Sequence, residues 1–132
     1  VDHLVPLAPQ AIEIIESLRP LTGRSDYLLE RQRSRGRPMS GNTINAALHR
    51  LGDKDVATGH GFRATARTML VERLGYSVEI VEMQLAHRVR DVHGRAYNRT
   101  QWVDQRREMM THWAQYLAEL EADARRAKQG DR

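Results

Sequence analysis

Apolar residues recur every three or four positions in several segments of this chain, and a glycine or a proline closes most of these segments. This spacing places apolar side chains on one face of an α-helix, whereas a half-buried strand would alternate them. Pro9 suits the first turn of a helix that Pro20 ends, and Gly52 and Gly75 end two later helices. The pattern therefore predicts a mainly α-helical fold.

The start and the end of the chain carry further expectations. The character of the side chains alternates over residues 1–7, which predicts a short β-strand there. In all, one or two short strands are expected near the N-terminus. The last long helix is predicted over residues 100–126. The length of 132 residues is that of one domain, which we expect to occupy residues 1–126, followed by a disordered tail at 127–132.

Two serines and one loop complete the predicted secondary structure. Ser40 and Ser77 precede helical patterns and are predicted to cap those helices. The segment 30–39 is polar, rich in arginine and interrupted by Gly36 and Pro38. We expect it to be an exposed loop.

Charge and cysteine content limit the classes of function. Lysine and arginine total 21 against 17 acidic residues, and nearly all of the positive charge is arginine, which binds phosphate in a bidentate manner. This balance favours a nucleic-acid partner, and an ordinary solvated surface is the equally weighted alternative. The chain has no cysteine, which excludes disulfides and fits a reducing, intracellular compartment. No apolar run reaches the roughly 20 residues that span a bilayer.

Four residues could carry chemistry. His60 and Arg63 are three residues apart at the start of a predicted helix, where free N–H groups and the helix dipole attract anions, so both could grip one phosphate. His87 follows another helix. Tyr97 could act as a nucleophile once its phenolate is stabilised. Each also has an ordinary interpretation: a surface His and Arg, a C-terminal helix cap and a core tyrosine.

A second group of residues suggests contact with DNA. Arginines on a flexible loop suit phosphates, and polar side chains on the following helix could reach base edges in a major groove. A solvated loop and an ordinary polar helix face remain the alternative. The residues expected to bind DNA are Arg35, Arg37, Ser40, Asn42, Thr43, Asn45 and Arg50.

The order of the four chemical residues is more informative than any one of them. His60, Arg63, His87 and Tyr97 are separated by 3, 24 and 10 residues. With this order the chain resembles the tyrosine recombinases, and among them the integrases of prophages and genomic islands. That family has a His-x-x-Arg box, a later Leu-(Gly or Ala)-His and a Tyr about ten residues beyond. The resemblance covers roughly residues 2–120.

The resemblance implies a helical fragment of a recombinase catalytic domain and a mechanism. Tyr97 would attack a DNA phosphate and form a 3′-phosphotyrosyl intermediate in site-specific breakage and rejoining of strands. Arg63 would grip the non-bridging oxygens, His87 would donate a hydrogen bond to the phosphate, and His60 would assist proton transfer. The mechanism requires no metal and no cofactor.

The implied partners are double-stranded DNA attachment sites and other integrase protomers in a synaptic tetramer, in the bacterial cytoplasm and away from membranes. The family also uses a first Arg and a β-hairpin Lys that precede the strand matched by residues 3–7. We therefore expect this chain to lack both and to be inactive alone. Two alternatives remain: a non-catalytic helical DNA-binding module, and a structural helical domain whose stripe of Met109, Met110 and Trp113 contacts another protein.

Overall fold

A computed structural model of the chain describes residues 3–31, 34–87 and 102–130. The helices in these ranges are α1 (Pro9–Ser17), α2 (Arg19–Thr22), α3 (Thr43–Arg50), α4 (Gly59–Glu72), α5 (Val78–Gln84) and α6 (Val103–Gly130). The mainly α-helical fold predicted from the sequence is confirmed.

The chain divides into two compact units. The first unit comprises Val1–Ala11 and Arg67–Arg132, and the second unit comprises Ile12–Ala66. The division falls within α4, so the first two turns of this helix belong to the second unit and the remaining turns belong to the first.

The core of the first unit is formed by one residue from each of three helices. Leu70 of α4, Val81 of α5 and Met109 of α6 are at most 2% exposed and form one cluster. These side chains are aliphatic or thioether groups, as the low aromatic content of 5% requires. The apolar residues packed around them are Val71, Leu74, Tyr76, Ile80, Leu85, Met110 and Trp113.

A fully buried arginine also ties parts of the first unit together. Arg106 of α6 has no solvent exposure. Its Nε donates to Oε1 of Gln84 on α5 at 2.9 Å, and its Nη2 donates to the carbonyl oxygen of Leu4. Burial of a guanidinium is costly unless its N–H groups are paired. These bonds therefore hold the N-terminal segment, α5 and α6 at fixed positions within this unit.

The short strand predicted at residues 1–7 is not formed in its described part. Residues 3–8 have no regular secondary structure, and the β pairing found among the described residues is one isolated antiparallel bridge between Glu30 and Pro38. A strand needs a neighbouring backbone to accept and donate its ladder bonds. At Leu4 the carbonyl oxygen instead accepts a hydrogen bond from the Arg106 guanidinium.

Two glycines and one serine mark helix ends as predicted, whereas Pro20 does not: α1 ends at Ser17, and Pro20 lies in the first turn of α2, where proline is tolerated. Gly52 follows α3 with a φ of +94°, and Gly75 follows α4 with a φ of +74°. This left-handed region is open to glycine because it has no Cβ. Ser77 caps α5, since its Oγ accepts a hydrogen bond from the Ile80 amide at 3.4 Å.

The predicted cap at Ser40 is wrong. Helix α3 begins at Thr43, and Asn42 occupies the N-cap position without a side-chain cap bond. Asn42 already has helical backbone angles, so its side chain lacks the extended geometry of a usual cap. The Ser40 hydroxyl lies 2.8 Å from the Thr43 hydroxyl instead.

Helix α6 extends beyond the predicted end at Arg126 to Gly130. Ion pairs within the helix join Arg125 to Glu121 and Arg126 to Asp123, which supports its last turns modestly. Its Met109, Met110 and Trp113 pack in the core of the first unit. Leu117 and Leu120, which continue the same apolar stripe, are 45% and 43% exposed.

Candidate functional site

The first turn of α4, in the second unit, carries His60 and Arg63. Residues three positions apart are neighbours on one helix face, so the two side chains leave the helix in similar directions. His60 is exposed, and Arg63 is half-buried. The predicted pairing of these two residues on one helix turn is therefore present.

Two side chains cap this turn. The amide of Gly59 donates to Oδ1 of Asn45 at 2.9 Å, and the amide of Gly61 donates to Oγ1 of Thr58 at 2.9 Å. The sequence interpretation assumed that free amides here would help to attract a phosphate. That assumption is wrong for these two amides, so anion binding at this turn would depend mainly on the side chains of His60 and Arg63.

Gly61 lies close to the cap. A Cβ built at this position would lie 3.0 Å from Oγ1 of Thr58, so the Thr58 side chain would have to move by a few tenths of an ångström. The glycine between His60 and Arg63 therefore leaves Thr58 undisturbed as a cap of the helix that carries both of them.

His87, in the first unit, lies just after α5 in a well-defined turn. The amide of Ala86 donates to the Met83 carbonyl at 3.1 Å, and the amide of His87 donates to the Glu82 carbonyl at 3.0 Å. Ala86 has a φ of +56°. These features together form a Schellman motif, the common C-terminal end of a helix. The turn gives the His87 backbone a fixed position relative to α5.

The ring of His87 is also held by Glu82, a residue that the sequence analysis did not single out. Nδ1 of His87 pairs with Oε2 of Glu82, and Nε of Arg67 on α4 pairs with Oε1 of the same carboxylate. The Glu82 side chain is 17% exposed, against 47% for Arg67 and 43% for His87. Glu82 is thus the inner member of a three-residue cluster.

The protonation of Glu82 follows from its neighbours. Burial of the carboxyl raises the pKa of Glu82, but hydrogen bonds from His87 and Arg67, with the charge of Arg67, outweigh burial and hold that pKa below its usual value. The carboxylate is therefore ionised at neutral pH and accepts hydrogen bonds from both partners. A spacing of five residues from Glu82 to His87, across a predicted helix end, was the sequence signal that could have identified this pair.

In the arginine-rich segment before α3, the described residues on either side are paired as in a hairpin. The amide of Arg31 donates to the Arg37 carbonyl at 2.9 Å, and the amide of Met39 donates to the Leu29 carbonyl at 2.8 Å. These bonds pair the two arms of the segment. Residues 31 and 34–38 are exposed, as predicted for this segment, and backbone pairing joins its two arms.

The tip of this turn presents two of the predicted DNA-binding arginines. Gly36 has a φ of +75°, and its amide donates to Oε1 of Glu30 at 2.5 Å. Arg35 and Arg37 on either side of Gly36 are exposed. Arg33 lies outside the described residues. The turn therefore offers two neighbouring guanidinium groups to solvent.

The other predicted DNA-binding residues divide by exposure. Ser40, Asn42 and Arg50 are exposed, whereas Thr43 and Asn45 are half-buried. The hydroxyl of Thr43 contacts that of Ser40, and the side-chain oxygen of Asn45 caps α4. Asn45 therefore has a structural role that the sequence analysis did not foresee, and its contact with DNA stays a prediction.

The predicted catalytic residues are distributed over three parts of the chain. His60 and Arg63 belong to the second unit and His87 belongs to the first. Tyr97 lies outside the described residues. Within the described ranges, no group of three or more His, Cys, Asp or Glu side chains could hold a metal ion, and no helix is both long and apolar enough to cross a membrane.

Comparison with known proteins gives a consistent result. The chain matches the model of the phage integrase family over residues 1–102. It is 40% identical to Prophage integrase IntA of Escherichia coli K12 over 113 residues, which are 86% of this chain and 27% of the relative. Identity is 39% over 112 residues with Prophage integrase IntZ of the same organism, covering 85% of this chain and 27% of the relative.

A phage protein is similar to a comparable degree. The chain is 38% identical to the Integrase of Enterobacteria phage P4 over 119 residues, covering 88% of this chain and 27% of the relative. The chain thus spans about a quarter of the length of these curated relatives. No solved structure matches the chain significantly.

Proposed function

Because the chain belongs to the phage integrase family, we propose that it serves site-specific DNA recombination, with Tyr97 forming a 3′-phosphotyrosyl link to the DNA. The observation that carries this proposal is the pair of separately fixed groups: His60 and Arg63 on the capped first turn of α4, and His87 held by Glu82 after α5. Both groups precede Tyr97 in the sequence, in the order that the resemblance implies.

The proposed reaction is an in-line transfer at a phosphodiester. The Tyr97 oxygen bonds to phosphorus, the bond from phosphorus to the 5′-oxygen breaks, and the phenolic proton leaves with the help of His60. Arg63 and His87 offset the charge on the non-bridging oxygens as the transition state forms. A 5′-hydroxyl from another strand reverses these steps, and the phosphotyrosyl bond retains the energy needed for rejoining without a metal or cofactor.

DNA would be held by the hairpin-like turn and α3. Arg35, Arg37 and Arg50 are exposed, the last of them in the final turn of α3, and each would pair with a phosphate. Exposed Ser40 and Asn42 at the start of α3 are the proposed candidates for contact with sugar, phosphate or base edges. Other integrase protomers would complete a synaptic tetramer on double-stranded attachment sites.

Some of the required charge is proposed to come from outside this chain. The relatives are about four times as long as the matched segment, and the resemblance assigns a first Arg and a hairpin Lys to the part upstream. In this proposal the Lys protonates the leaving 5′-oxygen. We expect no cleavage of DNA by the isolated chain, and a covalent adduct between the isolated chain and DNA would contradict this expectation.

The decisive test uses a longer polypeptide that joins this chain to the upstream part found in the relatives. Tyr97→Phe is expected to abolish the covalent DNA adduct, seen as a protein band shifted on a denaturing gel, while leaving DNA affinity unchanged. The matched control is Tyr116→Phe on α6, which should form the adduct normally. Adducts that persist with Tyr97→Phe would refute the proposed nucleophile and favour a non-catalytic DNA-binding module.

A further inference from the structure

The carboxylate of Glu82 has both of its oxygens occupied by different partners. Oε1 accepts from Nε of Arg67, and Oε2 accepts from Nδ1 of His87. The backbone carbonyl of Glu82 also accepts the His87 amide at 3.0 Å. Glu82 therefore contacts His87 twice, once through the main chain and once through the ring, so the orientation of the ring depends on Glu82.

The protonation of the His87 ring follows from the chemistry of its partner. An ionised carboxylate has only acceptor sites, so the nitrogen that faces it must carry a hydrogen. Nδ1 of His87 is thus the protonated nitrogen, and Nε2 is the ring atom left for other partners. A neutral ring then offers a lone pair at Nε2, and a doubly protonated ring offers an N–H there.

We propose that Glu82 is a positioning residue that fixes His87 in its Nδ1–H form with Nε2 available for substrate, and that Arg67 in turn fixes the Glu82 carboxylate. A guanidinium has only donors and is always charged, so Arg67 binds Glu82 in every protonation state of His87. The order of the cluster is Arg67, Glu82, His87, with the least exposed group in the middle.

This inference rests on the proposed function for its consequence in catalysis. If His87 contacts the attacked phosphate, it does so through Nε2, because Nδ1 is occupied by Glu82. Donation from Nε2 to a phosphate oxygen then requires the doubly protonated ring, whose positive charge is balanced by the carboxylate. Glu82 itself does not contact the substrate in this arrangement and acts only through His87.

The amide of glutamine provides a specific test. In Glu82→Gln the side chain keeps its shape but has one acceptor oxygen and one NH₂ group. Arg67 can only donate, so the amide oxygen faces Arg67 and the NH₂ faces Nδ1 of His87. Nδ1 must then accept, and the His87 proton moves to Nε2. A role limited to stability would not predict this exchange of tautomer.

The measurement is the ¹⁵N chemical shift of the His87 ring nitrogens in the 132-residue chain, at a pH where the ring is neutral. We expect the Nδ1–H form in the wild type and the Nε2–H form in Glu82→Gln. The control is Glu79→Gln, the same change on the exposed first turn of α5, which should leave the wild-type spectrum. In Glu82→Gln combined with Arg67→Met, no guanidinium holds the amide oxygen, so this oxygen can turn toward Nδ1 of His87. The ring should then adopt the Nδ1–H form again. An unchanged tautomer in Glu82→Gln overturns the proposal.

The catalytic consequence is measured in the longer polypeptide described above. Glu82→Gln is expected to lower the single-turnover rate of adduct formation about tenfold with no change in DNA affinity. The neutral amide cannot balance the positive charge of the doubly protonated His87 ring, and a loss of about 1.4 kcal/mol in the transition state is a tenfold loss of rate. Glu79→Gln should keep the wild-type rate. A tautomer exchange without loss of rate overturns the positioning role, even when Tyr97→Phe abolishes the adduct. Adducts that persist with Tyr97→Phe instead refute the proposed function, whatever the ring spectra show.

Discussion

The side-chain oxygen of Asn45 accepts the hydrogen bond of the Gly59 amide at 2.9 Å, so a residue in the middle of α3 caps the first turn of α4. The two residues are 14 positions apart in the sequence. This bond links the helix that follows the arginine-rich turn to the helix turn that carries His60 and Arg63. One hydrogen bond thus connects α3, which carries part of the proposed DNA-binding surface, to the turn of α4 that carries part of the proposed catalytic site.

Replacement of Asn45 by Ala should lower the stability of the chain. Loss of the capping acceptor leaves the Gly59 amide without its partner, which costs about 1 kcal/mol. The free energy of unfolding can be measured by urea denaturation. Asn42→Ala is the matched control, because Asn42 makes no side-chain cap bond, and we expect it to cost less than about 0.5 kcal/mol. Equal effects of both variants would argue against a capping role for Asn45.

Two adjacent arginines of α6 should differ sharply in their contribution to stability. Arg106→Met leaves the Leu4 carbonyl and the Gln84 side-chain oxygen unpaired inside the first unit, at a cost of about 2–3 kcal/mol. Arg107 is 59% exposed and pairs only with Asp104 in the same turn among the described residues, so Arg107→Met should cost less than about 1 kcal/mol. Thermal unfolding compares the two, and similar melting temperatures would contradict the structural role of Arg106.

The pairing of Glu82 should make stability depend on pH. The pKa of Glu82 is lowered in the folded chain, so its contribution is present above the unfolded pKa of about 4.3 and is lost as the pH falls through the folded value. The difference in free energy of unfolding between wild type and Glu82→Gln should be about 1 kcal/mol near neutral pH and should shrink below about pH 4. A difference that stays constant across this range would show that the carboxylate charge is unimportant.

The turn after α4 should be destabilised when its glycine is replaced by a residue with a Cβ. Gly75 has a φ of +74° with open space around it, so the cost of Gly75→Ala is conformational and should be about 1 kcal/mol. Gly41 also has open space, but its φ lies outside the left-handed region. Gly41→Ala should therefore be neutral or slightly stabilising. Chemical denaturation gives the free energy of unfolding of both variants. A loss of stability in Gly41→Ala as large as that in Gly75→Ala would contradict the prediction.

Much of the local structure was predictable because its causes lie within a few residues. Pro9 begins α1, Gly52 and Gly75 follow α3 and α4, and Ser77 caps α5, as the pattern predicted. The failure at Ser40 is also local. A serine can cap a helix only where the backbone is extended, and here a turn carries helical angles through Asn42 before α3 begins.

The order of the candidate catalytic residues could also be read from the sequence, because a motif is defined by its residue types and their spacing. The hydrogen bonds that hold side chains in place could not be predicted in this way. The partners of Glu82 include Arg67, 15 residues away, and Arg106 binds the Leu4 carbonyl across 102 residues. Neither partner is marked by any periodicity, because such bonds depend on how helices pack after they form.

The sequence alone therefore determined that the fold is mainly helical and where several of its helices begin or end. These features depend on short-range rules of backbone geometry. Only the tertiary structure decided that Asn45 caps α4, that Arg106 is buried, and that Glu82 holds the ring of His87. Each of these joins residues from different elements, and burial then determines which polar groups must find partners.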